Sequence, residues 1–248
     1  MFVNDAKQWK DIVQRRQITS IFFQPEFRDA FYPDGSLLVD ESGLLPVIKK
    51  GTYIESLRHT GIIGTLNLAQ YAQTWKVWCN AFLEVNATGV KSTQDLYVMD
   101  TNKALHLSAS KNSVPFDSDK LQLFTPHEKS DAFYQLHQLQ ATLRNVPVVN
   151  KDTFDRIIKH CSPWLRIASY DNHVMTLLLF DTDQAYMLYG GIDEIGLQHE
   201  MRTAMLKSLY QRLDVRYLVL GTADQDGLRQ YKQHMANVVK KIEVYTGP

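Results

Sequence analysis

Between Leu165 and Tyr245 the order of apolar runs and glycine breaks leaves few folds open. Leu165 to Tyr170 and Val174 to Phe180 are short apolar runs around Asp171-Asn172, two residues that tolerate the left-handed backbone of a tight hairpin. A third run, Ala185 to Tyr189, follows Asp181-Thr182-Asp183-Gln184 and is stopped by Gly190-Gly191. The period then changes. Leu197, Met201, Met205, Leu209 and Leu213 recur every four residues, which predicts an amphipathic helix over 197–213. Arg216 to Leu220 returns to a strand pattern, continuously apolar in its second half as in a strand covered on both faces, and Gly221 ends it. A helix from Asp226 to Met235 and a strand from Val238 to Tyr245 complete the series.

The first half carries a similar order. Asp5 to Arg16 reads as a short helix with Trp9, Ile12 and Val13 on one side. Ser36 to Asp40 and Leu44 to Lys49 flank the turn Asp40-Glu41-Ser42-Gly43, and Thr52 to Arg58 is a third strand. Gly61-Ile62-Ile63-Gly64 then leads into a helix expected from Asn67 to Glu84, with Trp75 and Trp78 on its buried face, and Asp95 to Asp100 reads as a strand. Thr125-Pro126-His127-Glu128 is a helix start with a capping box, followed by an apolar stripe of Phe133, Leu136, Leu139 and Leu143. A shorter helix spans Asp152 to His160. Matching strands open at Leu44 and His173, 129 positions apart, and matching helices at Asn67 and Leu197, 130 apart. The repeat is one of architecture, without aligned identities. It divides the 248 residues into lobes at 1–124 and 125–248, the second with linker helices over 125–160.

Composition removes several functions. Lys and Arg total 27, as do Asp and Glu, so a broad basic surface for DNA is not expected. The two cysteines, Cys79 and Cys161, form no C-x-x-C, which excludes a disulfide scaffold and a four-cysteine zinc site. His199-Glu200-Met201-Arg202-Thr203 lacks the second histidine of a zincin, and no metal site is expected. Neither G-x-S-x-G nor a Walker A sequence is present. The longest apolar run, about Val174 to Phe180, is too short to span a bilayer, and Met1 to Asp5 opens no signal peptide, so a cytoplasmic location is expected. Asn86-Ala87-Thr88 fits a glycosylation sequon, with nothing else pointing to secretion.

A three-strand meander, a glycine-marked break, then helix, strand, helix and strand resembles the GNAT (acyl-CoA N-acyltransferase) fold. Ala185 to Gly191 is similar to the third strand of FemAB-like (FemX-like) acyltransferases. The 197–213 helix followed by Val215 to Gly221 is similar to their helix and apolar strand. Gly227-Leu228-Arg229-Gln230-Tyr231-Lys232 resembles their G-L-x-x-F-K step, with Tyr231 for Phe. Phe133-Tyr134-Gln135-Leu136-His137 and Asn145-Val146-Pro147 resemble their linker, Ser20 to Phe27 their opening segment, and Val244 to Gly247 their close. The resemblance covers most of the chain and is strongest over 130–247. It implies an α+β fold of tandem GNAT-like lobes, each a mixed, mainly antiparallel sheet flanked by helices. It implies transfer of an acyl or aminoacyl group to a small-molecule amine. The donor would be acyl-CoA or aminoacyl-tRNA, with no tightly bound cofactor. In peptidoglycan-linked members the acceptor is a cell-wall precursor. The usual GNAT pyrophosphate signature is absent, with Gly190 to Gly196 in its place, and no helical-arm insertion is visible. A second reading, a GNAT-fold binding or assembly module without catalysis, stands beside the first. The missing signature favours the module; the Gly221 … Leu228-Arg229-x-x-Lys232 step favours the enzyme.

Charge points to the same region. Residues 167–200 hold six acids and no Lys or Arg, while 202–241 hold eight bases against three acids. Donor phosphates are expected near Gly190, Gly191 and the start of the Leu197 helix, assisted by Gly221, Arg229 and Lys232. Arg229 and Lys232 are three apart and share a helix face. In the resemblance, Lys232 matches a lysine near the acyl donor. Asp193, or Glu194 beside it, would accept the proton of the attacking amine. Tyr189 would protonate the leaving group, with Tyr186 facing the other side of the strand because three is an odd step. His137 is expected to be half-buried and structural.

Overall fold

The apolar runs pair in register, and their pairing splits the chain into two units. The computed structural model describes residues 1–82, 89–104, 117–223 and 226–247. Unit one is Met1–Leu96 with Lys240–Pro248, and unit two is Tyr97–Val239.

Unit one begins with β1 (Phe2–Val3), α1 (Ala6–Arg15) and α2 (Pro25–Phe31). Asp5 caps α1 by accepting the Gln8 N–H at 2.8 Å, and the fully buried Trp9 indole donates to the Phe23 carbonyl at 2.7 Å. Then come β2 (Ser36–Val39), β3 (Gly43–Lys50), β4 (Tyr53–Ser56), β5 (Ile63–Gly64) and β6 (Thr74–Trp78). β2, β3 and β4 form an antiparallel meander, and β4 pairs in parallel with β6 for three residues, Tyr53 to Glu55 against Thr74 to Lys76. Leu38, Leu45, Val47, Ile54 and Val77 form the core of this sheet.

The helix expected from Asn67 is replaced by one 3-10 turn, Leu68–Gln70, and by β6. Thr74-Trp75-Lys76-Val77-Trp78 is aromatic and β-branched, and its strand partners outweigh its helical spacing. Trp75 and Trp78 are therefore strand residues. The Trp78 indole donates to Glu55 at 2.8 Å, and the cations of Arg58 and Lys76 lie over its ring at 5.1 and 4.2 Å from the centroid. Residues 83–84 of that expected helix, the sequon at 86–88, and residues 105–116 lie outside the described residues.

β7 (Val90–Asp100) leaves unit one after Leu96 and enters unit two. There follow β8 (Leu121–Phe124), α3 (Pro126–Arg144), α4 (Lys151–Cys161), β9 (Leu165–Tyr170), β10 (Val174–Asp181) and β11 (Gln184–Ile192). Next are α5 (Glu194–Gln198), α6 (Met201–Arg212), β12 (Tyr217–Gly221), α7 (Asp226–Met235) and β13 (Val238–Gly247). β8 to β11 are antiparallel, and β11 pairs in parallel with β12 for three residues, Gln184 to Tyr186 against Tyr217 to Val219. Residues 97–100 of β7 flank β12, and residues 244–247 of β13 flank β6, both antiparallel. The strand order is thus repeated, but each unit is completed by a strand from beyond its own meander. This is why the compact units do not divide at 124/125.

The capping box forms: the Glu128 carboxylate accepts from the Thr125 N–H and hydroxyl, both at 2.7 Å. The α3 stripe is rotated from its expected position. Phe133, Tyr134, His137 and Ala141 are buried, while Leu139 and Leu143 stay 41% and 37% exposed. Phe133 stacks on Phe154 of α4 at 5.7 Å. The expected 197–213 helix breaks at Glu200, whose φ is +49°, so α5 and α6 are separate helices. Met201, Met205 and Leu209 still pack on Leu178, Ala185 and Leu218 as their spacing predicts.

Candidate functional site

β11 and β12 diverge after Tyr186, and a bulge shapes the divergence. Tyr189 pairs with Leu177 and Met187 with Leu178, leaving Leu188 as the extra residue. The bulge cancels the odd step. Tyr186 and Tyr189 come to the same face, opposite the α6 side where Ala185 and Met187 pack. The Tyr189 ring accordingly lies 5.7 Å from that of His137 on α3.

The two glycines have separate causes. A Cβ on Gly191 would lie 2.9 Å from the backbone of Leu136 and of His137, so only glycine lets β11 approach α3 this closely. A Cβ on Gly190 would lie 2.9 Å from the Arg202 guanidinium. His137 fixes the contact: its Nδ1 bonds the Gly190 carbonyl at 2.7 Å and its Nε2 accepts the Val149 N–H at 3.2 Å. Because the amide must donate, the ring proton is on Nδ1. His137 ties α3 to β11 and to the Val149 backbone, and it is buried rather than half-buried.

The divergence opens a cavity of about 160 Å³ within unit two. Its apolar wall includes Met187, Met205, Leu206, Leu220 and Leu228, and its polar atoms come from Gln140, Thr176, Arg202, Tyr231 and Lys232. No Asp or Glu is among the described residues that line it. α7 presents Leu228, Tyr231 and Lys232 at the i, i+3, i+4 spacing of one helix face.

Arg202 stands in the first turn of α6, which has no side-chain cap. Its guanidinium donates to the Gln140 side chain and forms no ion pair among the described residues. Burial holds its pKa below the usual arginine range, while the neighbouring Tyr231 opposes this and the like charge of Arg144 adds to it. The Tyr231 hydroxyl is buried without a hydrogen-bond partner among the described residues. Burial raises it above the usual tyrosine range, against the pull of Arg202 and Arg144. Lys232 donates from Nζ to the Thr222 carbonyl at 2.7 Å. Gly221 ends β12 with φ +85°, and a Cβ there would lie 3.3 Å from that Nζ.

Of the residues singled out in the sequence, Tyr189, Gly190 and Lys232 meet at this cavity, with Gly221 beside Lys232. Gly191 shapes it from the α3 side. Asp193 is elsewhere: one carboxylate oxygen caps α5 through the Gly196 N–H at 2.8 Å, and the other bonds His173 at 2.7 Å. The helix terminus expected to hold donor phosphates therefore already holds a carboxylate. Arg229 is exposed and paired with Asp226 at 3.4 Å. Arg202 was visible in the sequence only as one of eight bases, and Tyr231 only as a replacement for Phe. The glycine facing Arg202 becomes meaningful once the bulge is known. Cys79 and Cys161 are both buried, and burial pushes the Cys79 thiol up to about 11. No group of three or more His, Cys, Asp or Glu suited to a metal occurs among the described residues, and no described helix is long and apolar enough to cross a membrane.

Antiparallel meander, bulged third strand, diverging parallel strand and flanking helices make a mixed α+β fold with a mainly antiparallel sheet. No protein-family model and no curated protein matches the sequence. Solved structures do match. One is the C-terminal DUF2156 domain of an Agrobacterium fabrum protein assigned as a lysylphosphatidylglycerol synthetase: TM-score 0.63, 14% identity, 96% of this chain and 90% of that one. A second is L-PGS from Bacillus licheniformis: TM-score 0.56, 8% identity, 98% and 91%. A third is FemX: TM-score 0.51, 9% identity, 89% and 90%. At these identities the likeness is one of fold.

Proposed function

We propose that the protein is an N-acyltransferase of FemAB-like type. It would move an acyl or aminoacyl group from a thioester or aminoacyl-tRNA donor to an amine, with the donor's reacting end in the unit-two cavity. The observation that carries this is a buried tyrosine hydroxyl without a partner, beside a guanidinium without a carboxylate, at the point where β11 and β12 part. Unsatisfied buried donors are costly and are offset only when a ligand accepts from them.

In the transfer, the amine nitrogen attacks the acyl carbon, and the carbon–sulfur or carbon–oxygen bond to the donor breaks. The departing thiolate or alkoxide takes its proton from solvent, which also takes the proton lost by the amine. Lys232 stabilises negative charge on the donor and on the tetrahedral oxyanion. Tyr189 and Gly190 form the wall, and Gly221 gives the Lys232 ammonium its room. Asp193 and Arg229, both engaged outside the cavity, have no part in this reading.

Mass spectrometry of reactions with acyl-CoA or charged tRNA and a panel of amines tests it. Product formation with one donor class is expected, and Lys232→Ala should slow turnover about 100-fold. No product, together with no thermal stabilisation by any donor, would instead support the binding-module reading.

A further inference from the structure

The polar end of the cavity is cationic without compensation. Arg202 reaches it from α6, with the like charge of Arg144 nearby and the unpartnered hydroxyl of Tyr231 beside both. No acid is among the described residues that line it. The remaining wall is apolar and flexible in shape, with Met187 and Met205 prominent. About 160 Å³ admits a short chain and not a whole donor.

We propose that this is a subsite for a carboxylate: the transferred group is a short acyl chain whose far end is anionic, held by Arg202 and Tyr231. The inference rests on the transferase reading and narrows it. An aminoacyl group carries an ammonium, which this end of the cavity repels and offers no carboxylate to receive. A carboxylate accepts from the guanidinium and the phenol together, satisfying both at once. The methylenes between it and the carbonyl match the methionine and leucine wall, which a phosphate alone would leave empty.

Three four-carbon probes of similar size separate the charges: butyrate, butyramide and butylammonium, titrated calorimetrically into the full chain. Butyrate should bind about tenfold more tightly than butyramide, and butylammonium should not bind. Arg202→Gln should abolish the preference for butyrate while leaving butyramide unchanged. Should that variant not fold, Tyr231→Phe removes only a hydroxyl and should weaken butyrate about fivefold. Equal binding of butylammonium and butyrate overturns the proposal, as does a butyrate preference that survives Arg202→Gln. Inorganic phosphate binding more tightly than butyrate, and competing with it, also overturns it, assigning the subsite to the donor's phosphate. The transferase reading is scored separately. Butyrate selectivity without product from any donor sinks that reading and keeps the subsite. Product from charged tRNA without butyrate selectivity does the reverse.

Discussion

In unit one the parallel pair β4–β6 holds for three residues, and in unit two the pair β11–β12 also holds for three. Beyond that point the units part ways. In unit one, side chains take over from the ladder. Ser56 Oγ accepts the Trp78 N–H at 2.8 Å, and Asn80 donates to the His59 carbonyl at 2.7 Å while accepting the Phe82 N–H at 2.9 Å. The His59 ring lies 5.3 Å from Phe22. In unit two a bulge and two glycines bend β11 toward α3, and the space left exposes Arg202 and Tyr231 to a cavity. The same branch point is closed in one unit, with its polar groups satisfied. In the other it stays open at a cost in stability, as expected where a ligand completes the structure.

Four measurements sharpen or break this contrast. The largest effect expected is in the closed branch. Burial, helped by the like charge of Arg58, lowers His59 from its ordinary 6.5 to about 4. As pH falls below 6.5 the unfolded chain takes up this proton before the folded one does. Stability should therefore drop by about 3 kcal/mol between pH 6.5 and pH 4. His59→Asn keeps a residue tolerant of the left-handed backbone, φ +64°, and should flatten that slope in urea titrations. An unchanged slope would mean that His59 is not held neutral.

Next is Asn80→Ala. It orphans the buried groups that Asn80 serves and should cost about 2 kcal/mol in chemical denaturation, with transfer rates unaffected. Loss of activity at constant stability would contradict a purely structural role for the closed branch. In the open branch the sign should reverse. Arg202→Met replaces a half-buried charge without an ion-pair partner among the described residues by an apolar chain of similar length and should raise stability by about 1 kcal/mol while abolishing donor binding. A destabilised variant would show that Arg202 serves the fold. The smallest effect is Asp193→Ala, about 1 kcal/mol from the lost α5 cap, with kcat within a factor of about two. A large kcat loss would restore Asp193 to the chemistry.

The contrast also explains what could be read from the sequence. Unit two was legible because Val174 to Leu179 and Tyr217 to Leu220 are buried on both faces and read as apolar runs broken only at Thr176, and because Thr125 and Glu128 cap α3 with side chains. Unit one misled at Thr74 to Trp78, where the aromatic spacing imitates a helix and only the partner strand decides. At the site, Lys232, Tyr189 and the glycines were visible because they follow chain order. Arg202 and Tyr231 were not, because they meet through the Leu188 bulge and the turn of α6, which no local pattern announces. Asp193 looked like a base from its position at a strand end, yet that position is also where a helix needs its cap.

The exchanged strands bear on the order of events during synthesis. Residues 244–247 of β13 flank β6, and Lys91 pairs with Glu243 across 152 positions. A ribosome that has released the whole first meander has therefore still not released the strand that covers its edge. Until then β6 presents an unpaired row of amides and carbonyls to anything nearby. Such distant closure slows folding and lengthens exposure to aggregation. A nascent chain arrested before residue 240 should accordingly be protease-sensitive in unit one as well as in unit two.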